Sequence, residues 1–231
     1  MQNDKVVRDR ANESAKRAKQ FSPSVQYAIT TALANIMNGA FWGFTDMKSI
    51  QSHVEAIKAE PNITARKLGN ACLIEVQPGF LLNAVQAIDP NAITQGDLNN
   101  IQRSMAEALM SFEKFLISKG KLIAKGTPFG GTVGIYCIND TESIVFKGTN
   151  YPAFRVTMGD ALRLLAQYGY EISVGGNFIP AMQAVNAGNA LWESANLSPT
   201  KTGIFINIRS TLSAEQIKAK EAEFKQRYGL K

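Results

Sequence analysis

Apolar positions in the first 125 residues recur mostly at intervals of three and four, the spacing that lines one face of a helix. Beyond residue 126, short β-branched and aromatic runs take over. Val7, Ala11, Ala15 and Ala18 make one narrow stripe on the charged segment 4–19, which predicts a helix resting lightly on another surface, within the subunit or on a neighbour. Ser22-Pro23 places an N-cap before a first-turn proline, so a second helix is expected to about Met37, closed at Asn38-Gly39. Further helices are expected over 46–59, capped by Thr45, and over 80–88, stopped at Asp89-Pro90. The clearest periodicity runs over 96–118. There Leu98, Ile101, Met105, Leu109, Phe112 and Leu116 keep helical spacing and Gly120 is the expected stop. ACLIEV at 71–76 reads as a short strand, followed by a turn at Gln77-Pro78-Gly79.

In the second half, GTVGIYCIN and SIVFKG flank Asp140-Thr141-Glu142 and read as a hairpin. Thr157 caps a helix to about Gln167, followed by a strand at 171–174, a turn at Gly175-Gly176-Asn177 and an uncharged helix over 179–192. GIFINIR at 203–209 alternates, with Ile204, Ile206 and Ile208 on one face and Phe205, Asn207 and Arg209 on the other. Ser213 and Gln216 form a capping box for a last helix that ends at Gly229. The expected fold is α+β, with a helix-rich N-terminal half (1–125) and a C-terminal α+β half (126–231) built on a small mixed or antiparallel sheet. The Gly/Pro-rich stretch 126–134 is the only candidate boundary, and the two halves could equally form one continuous domain.

Composition narrows the chemistry. A chain of 231 residues, 45% hydrophobic, can bury a core without disulfides or metals. One His and two Cys are too few for a Cys/His zinc module, and no metal or cofactor is expected. Cys72 and Cys137 lie in apolar runs and read as buried reduced thiols of a cytoplasmic protein. Residues 20–45 carry no charge, but Ser22, Ser24, Gln26, Thr30, Thr31, Asn35 and Asn38 interrupt them. They predict a buried or partner-facing helix, not a membrane span. Asp4, Asp9 and Glu13 among the preceding basic residues argue against a signal peptide.

The net charge of +6 is clustered. Residues 1–20 carry six basic and three acidic groups; 111–126 carry four lysines and one glutamate; 211–231 carry five basic and three acidic groups. Such clusters attract phosphate backbones through counterion release. Arg8, Arg10, Arg17, Lys19, Lys119, Lys121 and Lys125 are the expected phosphate contacts. Phe205 and Arg209, with Tyr136 on a strand expected nearby, are the stacking candidates for single-stranded nucleic acid. A sheet face covered by helices, with Phe205 in the core, is the plainer reading of that strand.

The aromatic knot Phe41, Trp42, Phe44 reads first as core packing. His53 has no nucleophilic partner identifiable from sequence, and no paired-carboxylate motif appears, which weighs against an enzyme. GTPFGGTVG (126–134) is the one glycine-rich loop, but it lacks the Lys-Ser/Thr of a phosphate loop. The leading expectation is a non-enzymatic, homo-oligomeric nucleic-acid-binding protein. The alternatives are a virion or scaffold subunit, with the uncharged stretches 20–45 and 172–192 as contacts, and a small enzyme using the glycine-rich loop.

Overall fold

A computed structural model describes residues 2–68, 71–123, 131–136, 143–146, 149–174, 176–186, 196–198 and 201–231. The fold is α+β, and the chain divides into two compact units, Met1–Arg103 and Ser104–Lys231, with the division falling inside one long helix.

In the first unit, α1 (Gln2–Ala18) and α2 (Pro23–Leu33) precede a single 3-10 turn (Ile36–Asn38). β1 (Trp42–Asp46), α3 (Met47–Ile50), α4 (Val54–Lys58), β2 (Ile63–Leu68), β3 (Ala71–Val76) and α5 (Pro78–Ile88) follow, then the first turns of α6 (Gln95–Ile123). The Ser22 hydroxyl accepts from the Val25 amide, so the expected cap and first-turn proline start α2. The uncharged stretch becomes core: Val25, Ala28, Ile29 and Ala32 of α2 are buried with Ile36, Phe41 and Trp42. No described helix is long and apolar enough to cross a membrane.

The helix expected over 46–59 is broken into α3 and α4, and the segments on either side of it are strands. β3 is the middle of an antiparallel sheet ordered β1-β3-β2, with Trp42 opposite Glu75 and Ile63 opposite Val76. Helical spacing over 46–59 is weak, and the pairing with β3 supplies backbone hydrogen bonds that a local pattern does not announce. The aromatic knot is core, as its plainer reading had it: Phe41 and Trp42 are buried, and Phe44 is half-buried on β1.

The second unit contains the rest of α6, then β4 (Gly131–Tyr136), β5 (Ser143–Phe146), β6 (Thr149–Phe154), α7 (Met158–Gln167), β7 (Tyr170–Val174) and β8 (Asn177–Pro180). α8 (Ala181–Asn186), β9 (Asn196–Ser198), β10 (Lys201–Ser210) and α9 (Ala214–Tyr228) complete it. The seven strands form one mixed sheet ordered β5-β6-β4-β10-β7-β8, with β9 also on β10; β4 and β6 run parallel and the other pairs antiparallel.

Three local expectations change here. β4 and β5 do not form a hairpin, because β6 lies between them. The start of the helix expected over 179–192 is strand: Ile179 and Pro180 close β8, and the described helix covers only Ala181–Asn186. Gly120 does not stop α6, which continues to Ile123. A Cβ at 120 would fall 2.5 Å from Ile217 Cδ1, so this glycine permits close approach of α9. The Ser213–Gln216 capping box and the left-handed Gly229 bound α9 as expected.

One face of the sheet is covered by helices. Ile206 and Ile208 on β10 are buried with Tyr170 and Ile172 on β7. Tyr170 Oη donates to the Leu116 carbonyl at 2.6 Å, which lays α6 on that face. Phe112 and Phe115 of α6 meet the Phe154 ring of β6 at 5.0 and 5.1 Å. α9 runs antiparallel beside α6: Gly120 meets Ile217, Lys121 meets Glu221, and Glu113 meets Arg227 and Tyr228. Asn207 and Arg209 alternate onto the opposite face and are exposed.

Candidate nucleic-acid interface

The sheet brings the three stacking candidates to one face. β4 and β10 are neighbours, with Tyr136 opposite Gly203 and Phe205 opposite Gly134. Side chains alternate along a strand, so positions 136, 205 and 209 share the face away from the isoleucines. On their shared edge position 136 pairs with Gly203 and position 205 with Gly134, while β9 sets Asn196 opposite position 205 on the other edge of β10. Positions 136 and 205 are diagonal neighbours in the β4–β10 register.

Further along β10, Arg209 sits opposite Glu171 of β7 and is hydrogen-bonded to its carboxylate, Nε to Oε2 at 2.8 Å. The same guanidinium lies 4.6 Å from the centre of the Phe178 ring on β8. Glu171 already pairs the cation and the Phe178 ring lies against it, which suits Arg209 to stacking better than to reaching for a phosphate. The sequence offered no sign of Phe178 or Glu171 as partners, since both contacts depend on the β10-β7-β8 register.

The basic candidates are scattered. Arg8, Arg17 and Lys19 on and just after α1 are exposed and make no ion pair with another described residue. Arg10 is tied to Asp89, Nε to Oδ2 at 2.8 Å. Lys119 is half-buried on α6, and Lys121 pairs with Glu221 at 2.5 Å. Lys125 lies outside the described residues. Tyr136, Phe205 and Arg209 are therefore on the sheet face, and Lys119 and Lys121 in the helix layer that covers its other side. Of the glycine-rich segment, residues 126–130 lie outside the described residues, and Gly131–Gly134 belong to the central strand β4. Cys137 also lies outside them; Cys72 is a buried free thiol, pushed up to about 11 by its burial.

Two polar clusters were not legible in the sequence. His53 does have a hydroxyl partner, Ser24, with Nδ1 2.9 Å from Oγ, and the Tyr27 ring stacks on the imidazole at 5.1 Å. Tyr27 in turn hydrogen-bonds Thr45. Ser24 is buried, and among the described residues no carboxylate orients the ring, so the pair lacks the access and the third group a nucleophile needs. It ties α2 to the turn before α4.

In the second unit Glu113 is buried, yet it accepts from Tyr168 Oη at 2.5 Å, Arg227 Nη1 at 2.5 Å and Tyr228 Oη at 3.0 Å. Burial and the carboxylate beside it hold the Tyr168 phenol far above its ordinary value, so it stays a donor. Three donors on one buried carboxylate satisfy it fully and lock α9 to α6. A glutamate next to Phe112 on an apolar stripe was the available signal. Among the described residues no group of His, Cys, Asp and Glu is placed to hold a metal ion.

No protein-family model matches the chain, and neither a curated protein nor a solved structure is detectably similar to it.

Proposed function

We propose that the protein is a non-enzymatic nucleic-acid-binding protein whose base-contacting site is the face of the second unit's sheet that carries Asn207 and Arg209. The observation that carries this reading is the register that sets positions 136 and 205 diagonally on the adjacent strands β4 and β10, with exposed Asn207 and Arg209 continuing the same face of β10. Bases within a duplex are already stacked, so such a face suits a single strand with splayed bases. Arg8, Arg17 and Lys19 add a sequence-independent attraction for phosphates.

Binding of a fluorescent thirty-nucleotide oligothymidylate, followed by anisotropy over a salt series, tests this. Tyr136→Ala with Phe205→Ala should weaken binding by about 30-fold or more with little change in salt slope, stacking being worth ~1–3 kcal/mol per base and two rings being removed. Neutralising Arg8, Arg17 and Lys19 should instead lower the slope by about 2. Salt-independent binding, or an affinity indifferent to both ring substitutions, overturns the reading.

The second reading is a homo-oligomeric assembly subunit, of the virion or scaffold kind. It is favoured by α1, where Val6 and Val7 are 65% and 66% exposed. Val6→Asp with Val7→Asp should then reduce the oligomer to monomer in light scattering while leaving the helical circular dichroism intact. An unchanged mass would remove α1 from any subunit contact.

A further inference from the structure

We infer that the α6–α9 helix pair carries a second nucleic-acid surface, a lysine track on the far side of the second unit from the sheet face, so that one molecule holds two separate strand segments. This rests on the nucleic-acid reading above for the identity of the polyanion, but not on the sheet face for its existence.

Two segments about a hundred residues apart, both basic in sequence, are folded against each other here. Lys114 and Lys121 are two turns apart on one side of α6, ~10 Å along the axis at 1.5 Å per residue. Lys218, Glu221 and Lys225 follow one another at three and four residues on one side of α9. The Lys121–Glu221 pair, at 2.5 Å, joins the two stripes into a single track of four lysines and one glutamate. The Glu221 carboxyl is held below its usual range by its hydrogen bond to Lys121, with Lys225 also lowering it.

Glu107, two turns before Lys114 on α6, marks one end of the track, and the other acidic groups nearby are largely engaged elsewhere. Glu113 is turned inward beneath Arg227, and Glu223 is paired with Lys220 at 2.9 Å. Glu215 sits in the first turn of α9, where the helix-start backbone and the Ser213 side chain stabilise its charge first and Lys218 adds a smaller attraction. Lys114 and Lys218 are exposed, and neither makes an ion pair with another described residue. Leu122 and Leu230 are exposed on the same two segments but are single residues, not the continuous apolar face that an interfacial membrane helix needs. A row of like charges without such a face fits a regularly charged phosphate chain.

The position of the track follows from strand alternation. α6 lies on the face that carries Tyr170, Ile206 and Ile208, whereas Asn207 and Arg209 point the other way. Sheet and helices therefore stand between the track and the ring positions, and a short strand bound at one does not reach the other.

The test uses the full chain and two ten-nucleotide oligothymidylates, one biotinylated on beads and one fluorescent. Wild-type protein should retain the fluorescent strand on the beads at low salt. The variant K114Q/K121Q/K218Q/K225Q should still bind one strand, lose at least ten-fold of the captured fluorescence, and show a salt slope lower by about 3. K114Q/K218Q spares the Lys121–Glu221 pair and should lose part of the capture with native circular dichroism, which guards against misfolding of the quadruple variant. Capture equal to wild type in both variants overturns the track. If wild type binds neither oligonucleotide, the nucleic-acid reading falls and the track with it. Lysine-dependent binding to phosphatidylserine vesicles, with strand capture unaffected, would assign the surface to lipid and also overturn it.

Discussion

At Gly120 two opposing energies can be compared directly. Replacing a mid-helix glycine by alanine ordinarily gains about 1 kcal/mol of helix propensity. Here the new methyl would fall 2.5 Å from Ile217 Cδ1 and 3.3 Å from its Cγ1, with the Tyr170 hydroxyl at 3.4 Å, and Ile217 is fully buried. Overpacking of that kind costs ~1–3 kcal/mol, so the clash wins. Gly120→Ala should destabilise the protein by about 1 kcal/mol in urea unfolding. Ile217→Val, which alone costs ~1 kcal/mol, should cost nothing or restore stability in that background. A stable Gly120→Ala variant would show that α9 does not approach α6 this closely. The sequence is ambiguous at such a residue because a glycine after a periodic run serves equally as a stop or as a place where another helix comes near. Arg209 is similar: its exposed face was legible from the alternation of β10, but its engagement with Glu171 and Phe178 was not.

At the scale of the element, α1 shows how little of its apolar stripe is used. Val7, Ala11 and Ala15 are exposed, and Ser14 and Ala18 only half-buried. An isolated helix of this length is marginal in water, so its docking matters. The Arg10–Asp89 pair, 2.6 Å at its closest, ties α1 to the end of α5. The hydrogen bond from Arg10 holds the Asp89 carboxyl below its ordinary 3.8, and the Asn91 amide adds to this. A carboxyl depressed in the folded state stabilises fully above its unfolded value and loses that stabilisation as pH falls through the folded one. Amide-exchange protection in α1, relative to α5, should therefore drop below about pH 4, the unfolded aspartate value. Arg10→Gln should already lack that extra protection at neutral pH and show no further drop. If the acid loss persists unchanged in Arg10→Gln, another group anchors the helix. The existence of the helix was legible from periodicity; the anchor was not, because its two residues stand 79 apart.

At the scale of the whole molecule, each unit builds its own sheet, and the two sheets differ in how far they could be foreseen. The strand at 71–76 was visible as an apolar run, but its neighbours β1 and β2 are mixed in character and become strands by pairing with it. In the second unit the strands at 170–174 and 201–210 were close to expectation, yet their neighbours were not. The sheet places β6 between β4 and β5 and β10 between β4 and β7. Short-range signals by themselves determined the α+β class, the caps at Ser22, Thr157 and Ser213, the stop at Gly229, and the two faces of β10. They act within a few residues, through backbone geometry and side-chain spacing, and can be read wherever they occur. Only the tertiary structure decided which strands are adjacent, where Glu113 finds its three donors, and which side of the sheet α6 and α9 cover. It consequently set the ring positions 136 and 205 on one face and Lys119 and Lys121 in the layer behind the other. Those choices are made by burial and register summed over residues far apart in the chain, and no local period encodes them.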